Sequence, residues 1–242
     1  MNPIVSFTSY KPRLKYCKTV IDSLLANTYK PWKIVMTLAK EDVQYIPADL
    51  QEYIDSGTVE LIIADVDLRP HNKYFYSMQK YRENPIITVD DDIIYPEDLI
   101  QSLMDSYKQY PDCVHARRVH KKTYNWLGRI KPYRKWVFEC KDVLSPSTEL
   151  LATGVGGILY PPDILKISSN NIEDIMKVIS VDDIYLHYLE LKLGVRVVYV
   201  KNSMNHPPAI DGSQENGLYK INYLGNNNDL AINLLLKRRI RP

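Results

Sequence analysis

The sequence predicts an α/β domain with a mainly parallel sheet flanked by helices, and three observations carry that expectation. Four short β-rich runs alternate with three helix-periodic stretches along residues 5–89. The fourth run, Ile86-Ile87-Thr88-Val89, is fully apolar or β-branched and ends in three consecutive acids, Asp90, Asp91 and Asp92. A clear helix over 182–193 then leads through Gly194 into a further strand at 195–200.

In order along the chain, residues 5–8 read as a strand. Residues 13–27 read as a helix, because Leu14, Cys17, Val20, Ile21, Leu24 and Leu25 recur on one face. Residues 32–38 form the second strand, and 47–56 a helix with Pro47 in its first turn and Gly57 just past its end. Residues 59–64 form the third strand, and a helix over 73–82 feeds the fourth. After the acids, Tyr95-Pro96-Glu97-Asp98 has the composition of a helix start, and Leu99, Leu103, Met104 and Tyr107 give that helix its apolar face. From Cys113 the pattern loosens into a strand, an aromatic and basic stretch to Lys141, and two short apolar segments around the turn Gly154-Val155-Gly156-Gly157. The expected division is a regular half, 1–110, and a less regular half with a C-terminal tail, 111–242, in one domain.

Composition narrows the function classes. With 31 Lys+Arg against 29 Asp+Glu the net charge is +2, so strong nucleic-acid affinity is not implied and any electrostatic function must come from local clustering. Three cysteines without metal-ligand spacing suit a reducing compartment. No apolar run reaches membrane-spanning length and the start does not read as a secretory signal, so the expectation is a soluble cytoplasmic protein, at most touching the inner face of a membrane.

The acid run is an expensive feature. Two like charges about 4 Å apart at an effective dielectric of about 20 repel by ~4 kcal/mol, so three acids at a half-buried strand end need protons, basic partners or a cation. If extension persists, Asp90 and Asp92 project to one side and Asp91 to the other, and the pair can share Mg²⁺ or Mn²⁺ completed by substrate phosphates. A solvated cap of the following turn is the plainer alternative. Lys73, near a helix start, is placed to offset diphosphate charge or is simply solvated.

The strand 86–89 running into Asp90-Asp91-Asp92-Ile93-Ile94-Tyr95-Pro96, after the N-terminal segments VSFTSYKPR and LLANTYKPWKIV, resembles nucleotide-sugar-dependent glycosyltransferases of the GT-A fold, especially bacterial polysaccharide-type, family 2-like enzymes. The resemblance implies a Rossmann-like GT-A sheet and sugar transfer from a nucleotide-diphosphate sugar, taken as a uridine one, to a saccharide or lipid-linked saccharide. Asp90 and Asp92 stand as the ends of the family's metal-binding DxD motif, with Asp92 the better placed for direct contact and Asp91 among the donor-binding residues. The resemblance then implies that Thr8, Ser9, Tyr10 and Arg13 surround base and phosphates, the plainer alternative being a turn with Arg13 on a solvated helix face. It also implies that Asp65 and Asp67 accept from uracil or ribose or else cap a turn, and that His206 is a third metal ligand or else an ordinary loop histidine. The pair Asp182-Asp183 before the last regular helix corresponds to the acidic pair of inverting enzymes, with Asp183 as the base and Asp182 as its orienting neighbour. A structural role at the helix N-terminus is the alternative.

Gly156 and Gly157 allow close backbone approach to a sugar, or a plain turn. Residues 117–135 hold eight Lys or Arg and no acid, interleaved with Tyr124, Trp126 and Tyr133. That bias suits an acceptor loop for an anionic or lipid-diphosphate-linked saccharide, through Arg117, Arg118 and Trp126, with single-stranded nucleic acid as the rival ligand and a plain solvated loop as the simpler alternative. The basic end LLLKRRIRP suits weak contact with anionic lipid. Two other classes share some of these features: a metal-dependent phosphohydrolase, disfavoured by Ile93-Ile94 after the acids, and a non-catalytic carbohydrate-binding module, suggested by 19 tyrosines.

Overall fold

The computed structural model describes residues 2–201, 207–213, 222 and 225–236. Strands β1 (Ile4–Thr8), β2 (Lys33–Ala39), β3 (Val59–Ala64) and β4 (Ile86–Thr88) run parallel, with β1 between β2 and β4. Beyond β4 lie β8 (Ile158–Tyr160), β5 (Cys113–Ala116) and β9 (Arg196–Tyr199), completing the order β3-β2-β1-β4-β8-β5-β9. β8 is antiparallel to both neighbours, while β5 and β9 are parallel to each other. A separate antiparallel pair, β6 (Val119–Lys121) with β7 (Leu150–Ala152), rises from the region after β5.

The central strands are apolar on both faces, and their side-chain alternation sorts residues into two cores. Val5, Phe7, Ile87 and Val89 face α1 (Leu14–Leu25), α2 (Ala48–Asp55) and α4 (Leu99–Gln109). Ile4, Val35 and Ile86 face α3 (Asn72–Lys80) and α6 (Asp182–Leu193). Two short helices, α5 (Ile172–Met176) and α7 (Asn227–Leu235), cover the second face near α6. Gly194 closes α6 at φ 71°, a left-handed conformation that a residue without Cβ adopts freely.

The sheet is thus the expected mainly parallel α/β one, with three departures. The 158–160 segment runs against the rest, the pair β6–β7 stands outside the sheet, and α4 starts at Leu99 rather than at Tyr95. The late start has a local cause: Ile93 bridges Ala209, the Ile94 amide donates to Pro208, and the Tyr95 hydroxyl accepts from the Asp90 amide, so these residues are committed elsewhere. Among the described residues no helix is long and apolar enough to cross a membrane.

After β1 the chain builds outward through β2 and β3, then returns to place β4 on the other side of β1. In an open α/β sheet such a reversal leaves a crevice beyond the carboxyl ends of the two strands, which is where ligands bind. Here those ends carry Ser9 to Arg13 and Asp90 to Asp92.

Candidate active site

The acidic turn begins where β4 stops at Thr88, and loss of extension changes the expected geometry. Asp91 and Asp92, not Asp90 and Asp92, share a direction, and both meet Arg13. The Arg13 guanidinium lies 2.8 Å from Asp91 Oδ1 through Nη1 and 3.0 Å from Asp92 Oδ2 through Nη2. Ser9 Oγ donates to the other Asp91 oxygen at 2.6 Å. Burial pushes the Asp91 carboxyl up, and Arg13 pulls it back only in part. Burial also works against the charge on Arg13, but Asp91 and Asp92 together hold it above its ordinary value. One Arg at the end of β1 therefore bridges two of the three acids at the end of β4.

Asp90 turns the other way, to Lys73 in the first turn of α3. Lys73 Nζ is 3.1 Å from Asp90 Oδ1 and 2.7 Å from Asp182 Oδ2, with its side chain only 7% exposed. A buried ammonium ordinarily loses its proton readily, yet Asp182, Asp90 and Asp183 hold this one well above the usual lysine range. Asp182 and Asp183 open α6. The Gly154 amide points at both Asp183 oxygens, 3.3 and 3.4 Å away. A Cβ on Gly154 would stand 2.6 Å from Lys73 Nζ, 3.1 Å from Asp90 Oδ1 and 3.6 Å from Asp183 Oδ1, so this glycine is the floor on which the three charged groups meet.

The two carboxyls of the pair are driven apart. Burial acts to raise Asp182, but Lys73 outweighs it and holds the group ionised below its ordinary range. Burial and the adjacent Asp182 charge raise Asp183 to about 7, and Lys73 offsets this only partly. A carboxylate with that proton affinity is suited to accept a proton near neutral pH.

Among the described residues Asp91 and Asp92 meet Arg13, and Asp90 and Asp182 meet Lys73. Asp90 is the reachable carboxylate, 30% exposed, against 7% and 6% for Asp91 and Asp92 behind Arg13. Among the described residues no three His, Cys, Asp or Glu side chains converge as a ligand group. Magnesium-like sites need no such cage, since one or two carboxylates, water and substrate phosphates suffice, and the exposed Asp90 carboxylate suits that arrangement. His206 lies outside the described residues, as does the basic C-terminal end from residue 237.

The remaining sequence-predicted residues divide sharply. Thr8 Oγ1 donates to the Thr37 carbonyl at 2.7 Å within the sheet, and Tyr10 is exposed with its ring 6.0 Å from the Arg13 guanidinium carbon. Asp65 is exposed at the end of β3. Asp67 caps the approach to α3, accepting from the Arg69 amide at 2.8 Å and Asn72 Nδ2 at 2.7 Å. Gly156 and Gly157 are packing glycines: added Cβ atoms would stand 2.8 Å from Arg118 Cβ and 2.6 Å from Leu99 Cδ1. Arg117 is buried against Asp98 at 2.8 Å and Ser102 at 3.1 Å, and Arg118 reaches Glu139 and Thr153, so the basic surface begins only further along. Trp126 is 90% exposed.

Gly154 and Tyr95 were not singled out from the sequence. Gly154 sits in the visible glycine turn but one place before the two expected, and Tyr95 follows the acids at the spacing that lets its hydroxyl accept from the first of them.

The sequence matches no protein-family model and no curated protein. Solved structures do share the fold. GalNAc-T7 with UDP, GalNAc and Mn²⁺ aligns with a TM-score of 0.57 at 11% identity over 93% of this chain and 47% of that one. CMP:2-keto-3-deoxy-manno-octonic acid synthetase with CTP aligns at 0.53 and 12% identity over 94% of this chain and all of that one. S. aureus TarS 1-349 with UDP-GlcNAc aligns at 0.52 and 12% identity over 89% of this chain and 60% of that one. The fold is therefore of the GT-A type found in nucleotide-sugar enzymes, as the N-terminal resemblance implied.

Proposed function

We propose that the protein is a glycosyltransferase of hexosyltransferase type, which moves a sugar from a nucleotide-diphosphate donor, a uridine one, to a saccharide or lipid-linked saccharide acceptor in polysaccharide biosynthesis. The single observation that carries this reading is that Lys73 and Gly154 bring Asp90, Asp182 and Asp183 into one cluster beside the crevice at the carboxyl edge of the sheet. Residues 1–110 form the donor half and 111–242 the acceptor half.

The donor diphosphate lies over the amino-terminal turn and Asp90. A divalent ion bound there, Mn²⁺ or Mg²⁺, supplies fixed positive charge for the departing phosphate oxygen. Arg13 and Ser9 hold Asp91 and Asp92 so that the turn stays rigid without the ligand. Asp183 accepts the proton of the acceptor hydroxyl as that oxygen attacks the anomeric carbon, which inverts the configuration. Asp182, kept ionised by Lys73, disfavours a second negative charge on Asp183 and so raises its basicity.

Asp183→Asn is expected to lower kcat by about 10²- to 10⁴-fold, the usual worth of a positioned base, with donor dissociation constant unchanged. In the unmodified protein kcat/KM should rise about ten-fold per pH unit below the Asp183 value of about 7 and level off above it. Transfer by the variant at near-normal rate, or a profile flat through that region, contradicts the assignment.

A further inference from the structure

The segment after β6 leaves the sheet at the carboxyl end of β5, the edge that also carries the acidic turn, and folds into a tight excursion. Tyr124 bridges Ile130, the Lys131 amide donates to Thr123 O at 2.8 Å, and the Asn125 amide donates to Arg129 O at 2.9 Å. Asn125 Oδ1 accepts from the Leu127 and Arg129 amides, both at 3.0 Å, and Gly128 takes φ 72° to close the turn. The base is fixed by buried Ile130 and Trp136, whose indole donates to Lys131 O at 2.9 Å. The tip is thus a braced turn, and it presents Trp126, 90% exposed, and Leu127, 54% exposed, to solvent. Exposing an adjacent Trp and Leu costs apolar hydration that an idle loop has no reason to bear.

Arg129, Lys131 and Lys135 are all exposed within nine residues of this tip, and no Asp or Glu occurs from 117 to 138. We propose that the 123–131 turn is a membrane-surface anchor, with Trp126 and Leu127 entering the headgroup region of an anionic bilayer and Arg129, Lys131 and Lys135 pairing with lipid phosphates. Trp is suited to that boundary because it joins a large apolar body to one polar N–H, and anionic lipid complements the cations. A glycan fits less well: sugar sites are concave, whereas Trp126 has no facing wall and its neighbour is an aliphatic that offers no stacking surface. A second copy of the same patch would oppose like charges. The inference does not depend on the proposed transfer reaction.

The test uses the full chain carrying Trp32→Phe, so that Trp126 and buried Trp136 report alone. Vesicles of equal parts phosphatidylglycerol and phosphatidylcholine are compared with pure phosphatidylcholine, by co-sedimentation and tryptophan emission. The anchor predicts a blue shift and sedimentation with the anionic vesicles, weakened by salt. Leu127→Ser should reduce the partition coefficient and Trp126→Ala abolish the shift. Arg129→Gln and Lys131→Gln should each lower binding about five-fold, corresponding to about 1 kcal/mol per cation near an anionic surface. The proposal is overturned by a Trp126→Ala/Leu127→Ser protein that sediments as before, since contact then lies elsewhere, for instance in the basic C-terminal end. It is equally overturned by a shift seen with soluble oligosaccharide but not with vesicles, or by one that follows protein concentration alone.

Discussion

Lys73 links two acidic segments that the chain keeps far apart in sequence. Its ammonium, nearly buried, bears a desolvation penalty that Asp182, Asp90 and Asp183 together offset, and removing Asp182 or Asp90 would leave that charge less well compensated. The residue was legible as a cation near the proposed donor site, but its partners were not, because which carboxylates a lysine meets depends on contacts between α3, the turn after β4 and the start of α6. The same holds for Arg13: its placement at the end of the first strand was readable, its grip on Asp91 and Asp92 was not. Gly154 gives the most direct residue-scale prediction. A methyl group there has no room beside Lys73 and Asp90, so Gly154→Ala should displace the ammonium and reduce turnover by at least about ten-fold, the effect of misplacing a reacting geometry by a fraction of an ångström. Circular dichroism should show the fold intact, and turnover equal to that of the unmodified protein would contradict the packing described.

Among the elements, α6 stands out because it buries titratable groups along its length. Besides Asp183 it carries His187 and Glu190, whose Nδ1 and Oε2 lie 2.8 Å apart and nearly without solvent contact. Burial raises Glu190 from 4.5 to about 8, with Lys122 pulling it down only partly, and burial with the Asp182 charge raises Asp183 from 3.8 to about 7. Both folded-state values exceed the unfolded ones, so across these windows the folded chain holds protons that the unfolded chain has released. These two groups therefore contribute stability that is lost as pH rises through about 7 and 8. His71, His115, His120 and His187, all held below the usual imidazole value by burial, contribute stability that grows as pH rises to about 6.5, so the urea midpoint should fall only from about 7 to about 8. Glu190→Gln should flatten that decline and raise the midpoint at the alkaline end; a midpoint that climbs between about pH 7 and 8 would reverse the sign argued here. The helix itself was fully legible, with matching ends at Asp182 and Leu193, because Gly194 and the first-turn acids mark it. β8 was legible only as an apolar segment, since three residues of Ile, Leu and Tyr carry no mark of direction, and its antiparallel insertion between β4 and β5 is set by the glycine turn before it.

At the scale of the whole molecule, a net charge of +2 conceals a polarised arrangement. Acidic side chains gather at the carboxyl edge beside the reversal between β1 and β4, while exposed cations collect on the excursion after β6. The alternation of strands and helices revealed the first half of this plan, because parallel strands buried on both faces leave a continuous apolar signature. The stretch between β5 and α6 left little trace, since its short strands and 3₁₀ turns owe their form to tertiary contacts rather than to periodicity. The central claim is that the acidic turn receives a nucleotide diphosphate together with a divalent ion, and thermal unfolding with UDP tests it most directly, with and without Mn²⁺, in the unmodified protein and in Asp90→Asn. A ligand at a hundred times its dissociation constant adds about 2.7 kcal/mol, enough to raise the midpoint by several degrees. The account predicts a shift with UDP only when Mn²⁺ is present, lost in Asp90→Asn; a shift of equal size without the ion and without the Asp90 carboxylate, or none with either, would contradict it.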